Sequence, residues 1–200
     1  MTYLIFNYGT MNSSKSANLL MTSHTMRKQG KNVLLMKPAA DIRGGEDMIT
    51  SRVGLKSVVD IILLPNNSPI DNGFPSGVDI VLVDEAQFLS IENVERLRTL
   101  ASKLRIPIIC YGLLTDYRSK LFPGSQRLVE LADSIKEITY DVSPYVGDCC
   151  CCGENKAIVN SKFTQRDDDS IVVIKKGSSM PDIGAEEKYR PMCWTCWNKN

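Results

Sequence analysis

The chain of 200 residues contains no apolar run long enough to cross a bilayer. Its amino-terminal segment also lacks the pattern of a secretory signal peptide, so we expect a cytoplasmic protein with no membrane partner. The formal net charge is only +1, which argues against a broad electrostatic surface for nucleic acid, so no nucleic-acid partner is expected. His24 is the only histidine, and a single histidine on a predicted helix is more typical of a surface or partly buried residue than of a catalytic one.

Cysteine is present but clustered. Six of the seven cysteines lie at positions 149–152, 193 and 196, and Cys110 stands alone. In a reducing compartment such clustering indicates a metal site before disulfides, although reduced thiols without a metal remain the alternative. Two Cys-x2-Cys knuckles would complete a tetrahedral zinc site, and four thiolates leave no open position for substrate, so the zinc should be structural. The predicted ligands are Cys149, Cys152, Cys193 and Cys196.

A phosphate-binding loop is predicted at residues 9–16, between a strand-forming run at 3–8 and a helix-like segment. In such a loop, backbone N–H groups and the helix amino terminus surround phosphates, a lysine reaches the β- and γ-phosphates, and a serine binds magnesium. Lys15 and Ser16 are the residues for these two roles. The predicted ATP-binding residues of the loop are Gly9, Thr10, Met11, Asn12, Ser13, Ser14, Lys15 and Ser16.

Ser14 departs from the usual pattern of this loop, because glycine is common at its position. Glycine lets the backbone approach the phosphates without a Cβ atom, and serine is small enough to be a tolerated variant. The alternative interpretation is an ordinary Ser/Asn-rich turn with a helix N-cap, which such residues favour.

Strand and helix signals alternate along the first three quarters of the chain. A helix is predicted from about Ser14 to Gly30, and Ser90 is the predicted N-cap of a second helix with an apolar face. Strands are predicted at 32–36, 78–83, 107–111 and 135–140, residues 38–54 are predicted as a polar loop, and residues 58–64 as a helix-to-strand transition. The predicted apolar face of the second helix contains Ile91, Val94, Leu97, Leu100 and Leu104, and a third helix contains Leu128, Leu131 and Ala132.

This alternation predicts an α/β fold with a parallel sheet that has helices on both faces. After Pro144, cysteines, charges and short β-like runs at 157–163 and 171–175 replace the alternation. We therefore predict two domains, a nucleotide-binding domain at 1–144 and a small zinc-binding domain at 145–200.

Asp84 and Glu85 follow the apolar strand at 78–83. Ligands of open α/β sheets bind beyond the carboxyl ends of the strands, where a carboxylate can hold magnesium close to Ser16. Glu85 could then serve as a base. The alternative is that these carboxylates are solvated turn residues.

Taken together, these motifs resemble those of the zinc-containing type II thymidine kinase family, and the resemblance covers nearly the whole chain. Besides the phosphate loop and the cysteines, the matching segments lie at 41–43, 51–55, 83–89, 110–118, 122–126 and 183–189. No single segment is decisive, but their order and spacing are specific. The resemblance implies a P-loop, RecA-like sheet, a small zinc-stapled carboxyl-terminal domain with a lid loop, and transfer of the γ-phosphoryl group of ATP to the 5′-hydroxyl of thymidine.

The resemblance also implies a role for individual residues. Glu85 matches the family's general base, Lys15 matches the lysine that stabilises the transferring phosphoryl group, and Arg43 matches a residue that assists at the phosphates. Ser16 and Asp84 match the magnesium positions. The ATP site extends to Asp84, Glu85, Ala86 and Gln87, and the residues around the nucleoside are Phe88, Leu113, Tyr117, Phe122, Met180, Ile183, Gly184 and Tyr189.

The family further implies a homotetramer, feedback inhibition by dTTP, and a lid that the zinc site tethers just after Tyr189. Ala185 replaces a lid glycine, and Tyr117 stands where phenylalanine is commoner, so its hydroxyl needs a polar partner. The rival functions are a helicase-like ATPase, since Asp-Glu-Ala-Gln also resembles a helicase magnesium motif, and a zinc-bearing nucleic-acid-binding module. The sequence contains a single nucleotide-binding core, which argues against the helicase, and the near-neutral charge argues against the nucleic-acid module.

Overall fold

The computed structural model describes residues 3–42, 44–66, 70, 73–138, 149–165, 171–177 and 188–199. In chain order its elements are β1 (Leu4–Tyr8), α1 (Lys15–Lys28), β2 (Val33–Pro38), β3 (Met48–Thr50), β4 (Lys56–Val58), β5 (Ile61–Leu63), β6 (Ile80–Val83), α2 (Ile91–Leu104), β7 (Ile108–Gly112), α3 (Pro123–Leu131), β8 (Ser134–Glu137), β9 (Val159–Gln165), β10 (Ile171–Ile174), β11 (Tyr189–Met192) and α4 (Trp194–Lys199). A short 3-10 helix, Ala86–Phe88, follows β6.

The predicted parallel sheet is confirmed. Six strands pair in the order β5-β2-β6-β7-β1-β8, and every pair is parallel. Because all strands run in the same direction, their carboxyl ends meet at one edge of the sheet. The phosphate loop follows β1 and Asp84 follows β6, with β7 between those two strands, so both predicted motifs emerge at this edge.

The two faces of the sheet are both covered, as the continuous apolar runs predicted. Successive residues of a strand point to opposite faces, so β2 contributes to two separate cores. Leu34 and Met36 lie in the core that packs against α2 and α3, whereas Val33 and Leu35 lie in the core that packs against α1. The sheet is thereby held rigidly between helices, and its edge can carry a precisely placed site.

The helix boundaries agree with the capping signals. Helix α1 ends at Lys28, and Gly30 takes a φ of 77°, which suits its predicted role as a stop. The Ser90 hydroxyl accepts a hydrogen bond from the Asn93 backbone N–H at 3.2 Å, so the predicted N-cap of α2 is confirmed. The predicted apolar face of α2 is wrong at its ends, because Ile91 is 47% exposed and Leu104 is 40% exposed. Among the described residues no helix is both long and apolar enough to span a membrane.

The segment between β2 and β6 differs from the prediction. Within and beyond the predicted loop at 38–54, β3 and β4 form a two-stranded antiparallel hairpin, which we call the 48–58 hairpin. Among the described residues between β2 and β5, none is helical, so the predicted helix-to-strand transition at 58–64 is wrong in its helical part. Asp60 explains the extended path, because its backbone N–H donates to Leu35 O at 2.9 Å while its carboxylate accepts from the Leu35 N–H at 2.7 Å. The chain is therefore paired with β2 before β5 begins.

The carboxyl-terminal part forms a second, antiparallel sheet in the order β10-β9-β11, followed by α4. The predicted β-like runs correspond to β9 and β10, whereas β11 and α4 were not predicted. A small separate core contains Val159, Val173, Met192, Trp197 and two of the cysteines. The predicted domain boundary between 144 and 145 lies outside the described residues.

Candidate active site

The phosphate loop connects β1 directly to α1, as predicted. The Gly9 N–H donates to Gly112 O at 3.2 Å, which ties the start of the loop to the neighbouring strand β7. Lys15 is only 8% exposed, and its ammonium group donates to Thr10 O at 2.7 Å and to Ser13 Oγ at 3.4 Å. The Lys15 side chain therefore lies against the phosphate loop and contacts it where a phosphate group would bind.

The backbone of Ser14 shows why glycine is common at this position. Ser14 takes a φ of 57° in the left-handed region, and Asn12 has a φ of 69°. A side chain in this region costs roughly 1–2 kcal/mol, a cost that glycine avoids. The Ser14 side chain makes no capping hydrogen bond, so the alternative of an ordinary capped turn finds no support here. A glycine at this position would adopt the left-handed conformation at little cost and would also remove the Cβ atom from the phosphate site.

Asp84 and Glu85 are buried, with 3% and 6% exposure, so the alternative that they are solvated turn residues is wrong. A buried carboxylate is costly unless it is hydrogen-bonded. The Gln87 amide N–H donates to Glu85 Oε2 at 2.5 Å, and Gln87 Oε1 accepts from the Leu113 N–H at 2.9 Å. Gln87 therefore braces the carboxylate of Glu85 against the end of β7.

Gly112 allows this brace to come close to the sheet. A Cβ atom at Gly112 would lie 2.8 Å from Gln87 Oε1 and 3.0 Å from Gln87 N. Ala86 and Gln87, both predicted at the ATP site, are fully buried behind Glu85 and do not line its pocket. In this structure Gln87 orients Glu85.

One cavity of about 330 Å³ brings the phosphate loop and Glu85 together. Its walls are the loop, the carboxyl-edge residues Glu85 and Leu113, and the turn of the 48–58 hairpin. The lining residues are Met11, Asn12, Ser14, Lys15, Ser16, Ala17, Thr50, Ser51, Arg52, Val53, Glu85 and Leu113. A carboxylate and a phosphate-loop lysine in one cavity can serve a proton transfer and a phosphoryl transfer at the same place. Segment 51–55 was predicted only as part of the family resemblance, and no role was predicted for Arg52.

The predicted magnesium residues offer suitable donors. Ser16 lines the cavity with its hydroxyl, and Asp84 supplies a carboxylate directly after β6. Carboxylate and hydroxyl oxygens are hard donors of the kind that magnesium prefers. Burial raises the pKa of Tyr111 on β7, and the negative charge of nearby Asp84 raises it further.

The predicted nucleoside residues form two aromatic pairs. The Phe88 and Phe122 rings meet edge to face with centroids 5.8 Å apart, and the Tyr117 and Tyr189 ring centroids are 6.5 Å apart. Leu113 lines the phosphate cavity itself. Four predicted site residues lie outside the described residues: Arg43, Met180, Ile183 and Gly184.

Tyr117 also contacts the carboxyl-terminal unit. A Cβ atom at Gly177 would lie 2.6 Å from the Tyr117 hydroxyl, so this glycine allows the tyrosine to pack closely. Trp197 is buried and donates from Nε1 to Tyr117 O at 3.2 Å, so it packs the carboxyl-terminal unit against Tyr117. Lys162 lies over the Tyr117 ring at 5.6 Å.

Asn160 joins the two sheets at the phosphate loop. It is 4% exposed on β9, and its Oδ1 accepts a hydrogen bond from the Met11 N–H at 2.7 Å. Its amide group also donates to Thr115 O at 3.4 Å. The sequence analysis missed this residue; the available signal was one polar amide inside an otherwise strand-like run.

The four predicted metal-binding cysteines lie together. Their Sγ atoms all fall within 4.8 Å of one another, and Cys152 Sγ is 3.9 Å from Cys193 Sγ. Ligand sulfurs of a tetrahedral zinc site, with Zn–S bonds of about 2.3 Å, are about 3.8 Å apart. Backbone N–H groups of Glu154 and Asn155 lower the pKa of Cys152 to about 6, whereas hydrogen bonds with the Cys149 and Cys193 thiols raise the pKa of Cys196. A metal requires the thiolate form of its cysteine ligands.

The remaining cysteines stand apart from this cluster. Cys150 and Cys151 are exposed, which agrees with the predicted choice of Cys149 and Cys152 by spacing. Burial raises the pKa of Cys110 to about 12, so this thiol is an inert core residue. The described residues can therefore hold one metal ion at the cysteine cluster.

Comparison with known proteins finds relatives that match nearly the whole chain. A sequence model of the thymidine kinase family matches residues 2–197. A thymidine kinase of Ruegeria pomeroyi is 37% identical, with 100% of this chain and 95% of that protein covered. A thymidine kinase of Encephalitozoon cuniculi is 36% identical, with 98% and 87% covered, and that of Enterobacteria phage T4 is 34% identical, with 100% and 97% covered.

One solved structure, a Pif1 helicase from Candida albicans, superposes with a TM-score of 0.40 at 12% identity. The superposition covers 74% of this chain and 38% of the helicase. A similarity this low carries no argument about either fold or function.

Proposed function

Because the chain belongs to the thymidine kinase family, we propose that it transfers the γ-phosphoryl group of ATP to the 5′-hydroxyl of thymidine, giving dTMP and ADP. The observation that carries this proposal is a cavity lined both by Glu85 and by the phosphate loop. A nucleoside kinase needs a proton acceptor beside the phosphoryl group that it transfers.

Glu85 is the proposed general base. As the nucleoside oxygen bonds to the γ-phosphorus and the bond to ADP breaks, the hydroxyl proton passes to the Glu85 carboxylate. The hydrogen bond from Gln87 fixes the direction of this carboxylate before substrate arrives. Such positioning is the largest part of the catalytic effect in phosphoryl transfer, which requires little covalent chemistry from the protein.

Lys15 and the loop N–H groups are proposed to hold the β- and γ-phosphates. To reach them, the Lys15 ammonium exchanges its bonds to Thr10 O and Ser13 Oγ for phosphate oxygens. Ser16 and Asp84 would hold a magnesium ion, which would offset negative charge on the phosphate groups. Arg43 is proposed to assist at the phosphates because it matches the family position.

The nucleoside is proposed to lie among the two aromatic pairs and Leu113. Phe88, Phe122 and Tyr117 supply apolar faces for a pyrimidine base. Tyr189, with Met180, Ile183 and Gly184 from the family resemblance, is proposed to cover the base from the other side.

We propose that the metal at the cysteine cluster is zinc with a structural role. Four thiolates suit zinc and leave no coordination position for substrate. Cys193 and Cys196 lie within the segment 189–197, whose end residues Tyr189 and Trp197 both contact Tyr117. The metal would therefore maintain the nucleoside end of the site.

Several further properties stand as predictions, some from the family resemblance and some from the sequence itself. They are the division into domains at 1–144 and 145–200, a homotetramer, inhibition by dTTP, a cytoplasmic location, and no nucleic-acid or membrane partner. Size-exclusion chromatography with light scattering would test the tetramer.

The test of the proposed function is transfer of labelled phosphate from ATP to a panel of nucleosides, with magnesium and zinc-loaded protein. We expect labelled thymidine monophosphate as the main product. Hydrolysis of ATP without a labelled nucleoside would contradict the kinase assignment and favour an ATPase, which addition of DNA would then test.

A further inference from the structure

Lys37 is a fully buried lysine at the carboxyl end of β2, with 0% exposure. Moving an ammonium group out of water is costly unless charged and polar partners replace the lost hydration. A lysine at this position therefore requires a structural or functional reason, and no predicted role includes it.

The partners of Lys37 come from the loop that follows β2. Its ammonium group donates to Gly45 O and to Met48 O, each at 2.9 Å, and lies 3.4 Å from the Asp41 carboxylate. The Asp41 side chain is itself only 5% exposed. An ammonium group has three N–H donors, and these three acceptors match that number.

These contacts fix the start of the 48–58 hairpin. Gly45 and Met48 lie at the entry to β3, so Asp41, Gly45 and Met48 all contact one buried cation. Ile49, the next residue, is 1% exposed in the core against α1. The base of the 48–58 hairpin is thus held by the hydrogen bonds of the Lys37 ammonium group and by the buried Ile49 side chain.

The turn of the same hairpin forms one wall of the phosphate cavity. The Ser51 hydroxyl accepts from the Leu55 N–H at 2.9 Å and donates to Leu55 O at 3.2 Å, which closes the turn over residues 51–55. Arg52 is exposed and lines the cavity together with Lys15. Among the lining residues, Lys15 and Arg52 are the two cations and Glu85 is the anion.

A triphosphate carries more negative charge than one lysine can balance, and a guanidinium group suits phosphate oxygens because it can donate two parallel hydrogen bonds. We propose that Arg52 binds the phosphates of ATP and that Lys37 is the positioning residue that holds the hairpin so that Arg52 faces Lys15. This inference rests on the proposed function, since it names the phosphates of the same nucleotide as the ligand.

The test uses Lys37→Met, Arg52→Gln and the double variant. The readouts are the KM for ATP at saturating thymidine, the KM for thymidine, and the Kd of magnesium ATP without nucleoside. We expect each single variant to raise the KM and the Kd for ATP on the order of tenfold, the loss expected for one charge-assisted contact. The KM for thymidine should stay within about twofold.

The double variant separates positioning from general damage. Since Lys37 acts through Arg52, the double variant should bind ATP no more weakly than Arg52→Gln alone. Val94→Ala, in the core against α2, supplies a control for lost stability, and it should leave both KM values unchanged. If Lys37→Met does not fold, Lys37→Met with Asp41→Asn removes both buried charges and is measured in its place.

The inference would be overturned if the losses of ATP affinity in the two single variants multiply in the double variant. It would also be overturned if Lys37→Met changes ATP binding no more than Val94→Ala does. An unchanged Kd for ATP in Arg52→Gln would overturn it as well. Failure of the proposed function is seen separately in the unmutated protein, as ATP binding without any nucleoside phosphorylation.

Discussion

The two ends of the candidate site are built in different ways. The phosphate end consists of the loop at 9–16, Asp84, Glu85 and the hairpin turn, all at the carboxyl edge of one parallel sheet. The proposed nucleoside end consists of Phe88, Tyr117, Phe122 and Tyr189, and the Tyr117–Tyr189 contact joins it to the carboxyl-terminal unit that contains the cysteine cluster. The phosphate end is positioned mainly by loops that follow strands of the large sheet, with one hydrogen bond from Asn160 on β9, whereas the proposed nucleoside end includes long-range contacts to Tyr189 and Trp197 beside the cysteine cluster.

Lys15→Ala would break the phosphate end most severely. The loop loses its cation and also the bonds to Thr10 O and Ser13 Oγ that close it. We expect kcat/KM for ATP to fall by about 100- to 1000-fold, as is typical when a preorganised charge is removed from a transition state. Steady-state kinetics at varied ATP measure this, and a loss below about threefold would contradict the assignment of the loop.

Removal of the metal with a chelator should separate the two ends. The contacts of Tyr189 and Trp197 with Tyr117 lie beside Cys193 and Cys196, so the nucleoside end loses its support. We expect the KM for thymidine to rise on the order of tenfold while the Kd for ATP changes much less. Zinc added back should restore the KM, and equal losses at both ends would show that they are not built independently.

Asn160→Ala tests the one described hydrogen bond that joins the second sheet to the phosphate loop. The variant leaves the Met11 N–H without its acceptor, and a buried donor without a partner costs about 1–3 kcal/mol. We expect a fall in melting temperature and a rise of a few-fold in the KM for ATP. The matched control is Ser161→Ala, because the buried Ser161 hydroxyl makes no hydrogen bond within the described residues. Equal effects of the two substitutions would remove Asn160 from this role.

Asp133→Asn should have the smallest effect, on stability alone. The Asp133 carboxylate accepts from the N–H groups of Leu4 and Tyr3 and from Arg98, and these contacts lower its pKa to about 2. Because its pKa is lowered, the ionised Asp133 carboxylate stabilises the folded state at pH values above the ordinary pKa of an aspartate. This stabilisation is lost as the pH falls towards 2. Thermal melts should show a slightly lower midpoint for the variant at pH 7 and a difference that shrinks below pH 4. A pH-independent difference would contradict the electrostatic cause.

The phosphate end was largely predictable because its elements are local in sequence. The apolar runs gave the strands at 78–83 and 107–111, and the loop between β1 and α1 followed from contiguous residues. The 48–58 hairpin was missed because each of its strands has only three residues, too few to show a period. The contacts of Gln87, Lys37 and Asn160 were also missed. Each of these contacts joins segments that come close together only in the folded protein.

The measurement that tests the central claim most directly compares binding and turnover in Glu85→Gln. The substitution keeps the shape of the side chain but removes the proton acceptor, and Gln87 remains to hold it. We expect the Kd for ATP and the Kd for thymidine to stay within about threefold while kcat falls by about 100- to 10,000-fold. Near-normal kcat in a correctly folded variant would contradict the account, because the cavity would then have no base.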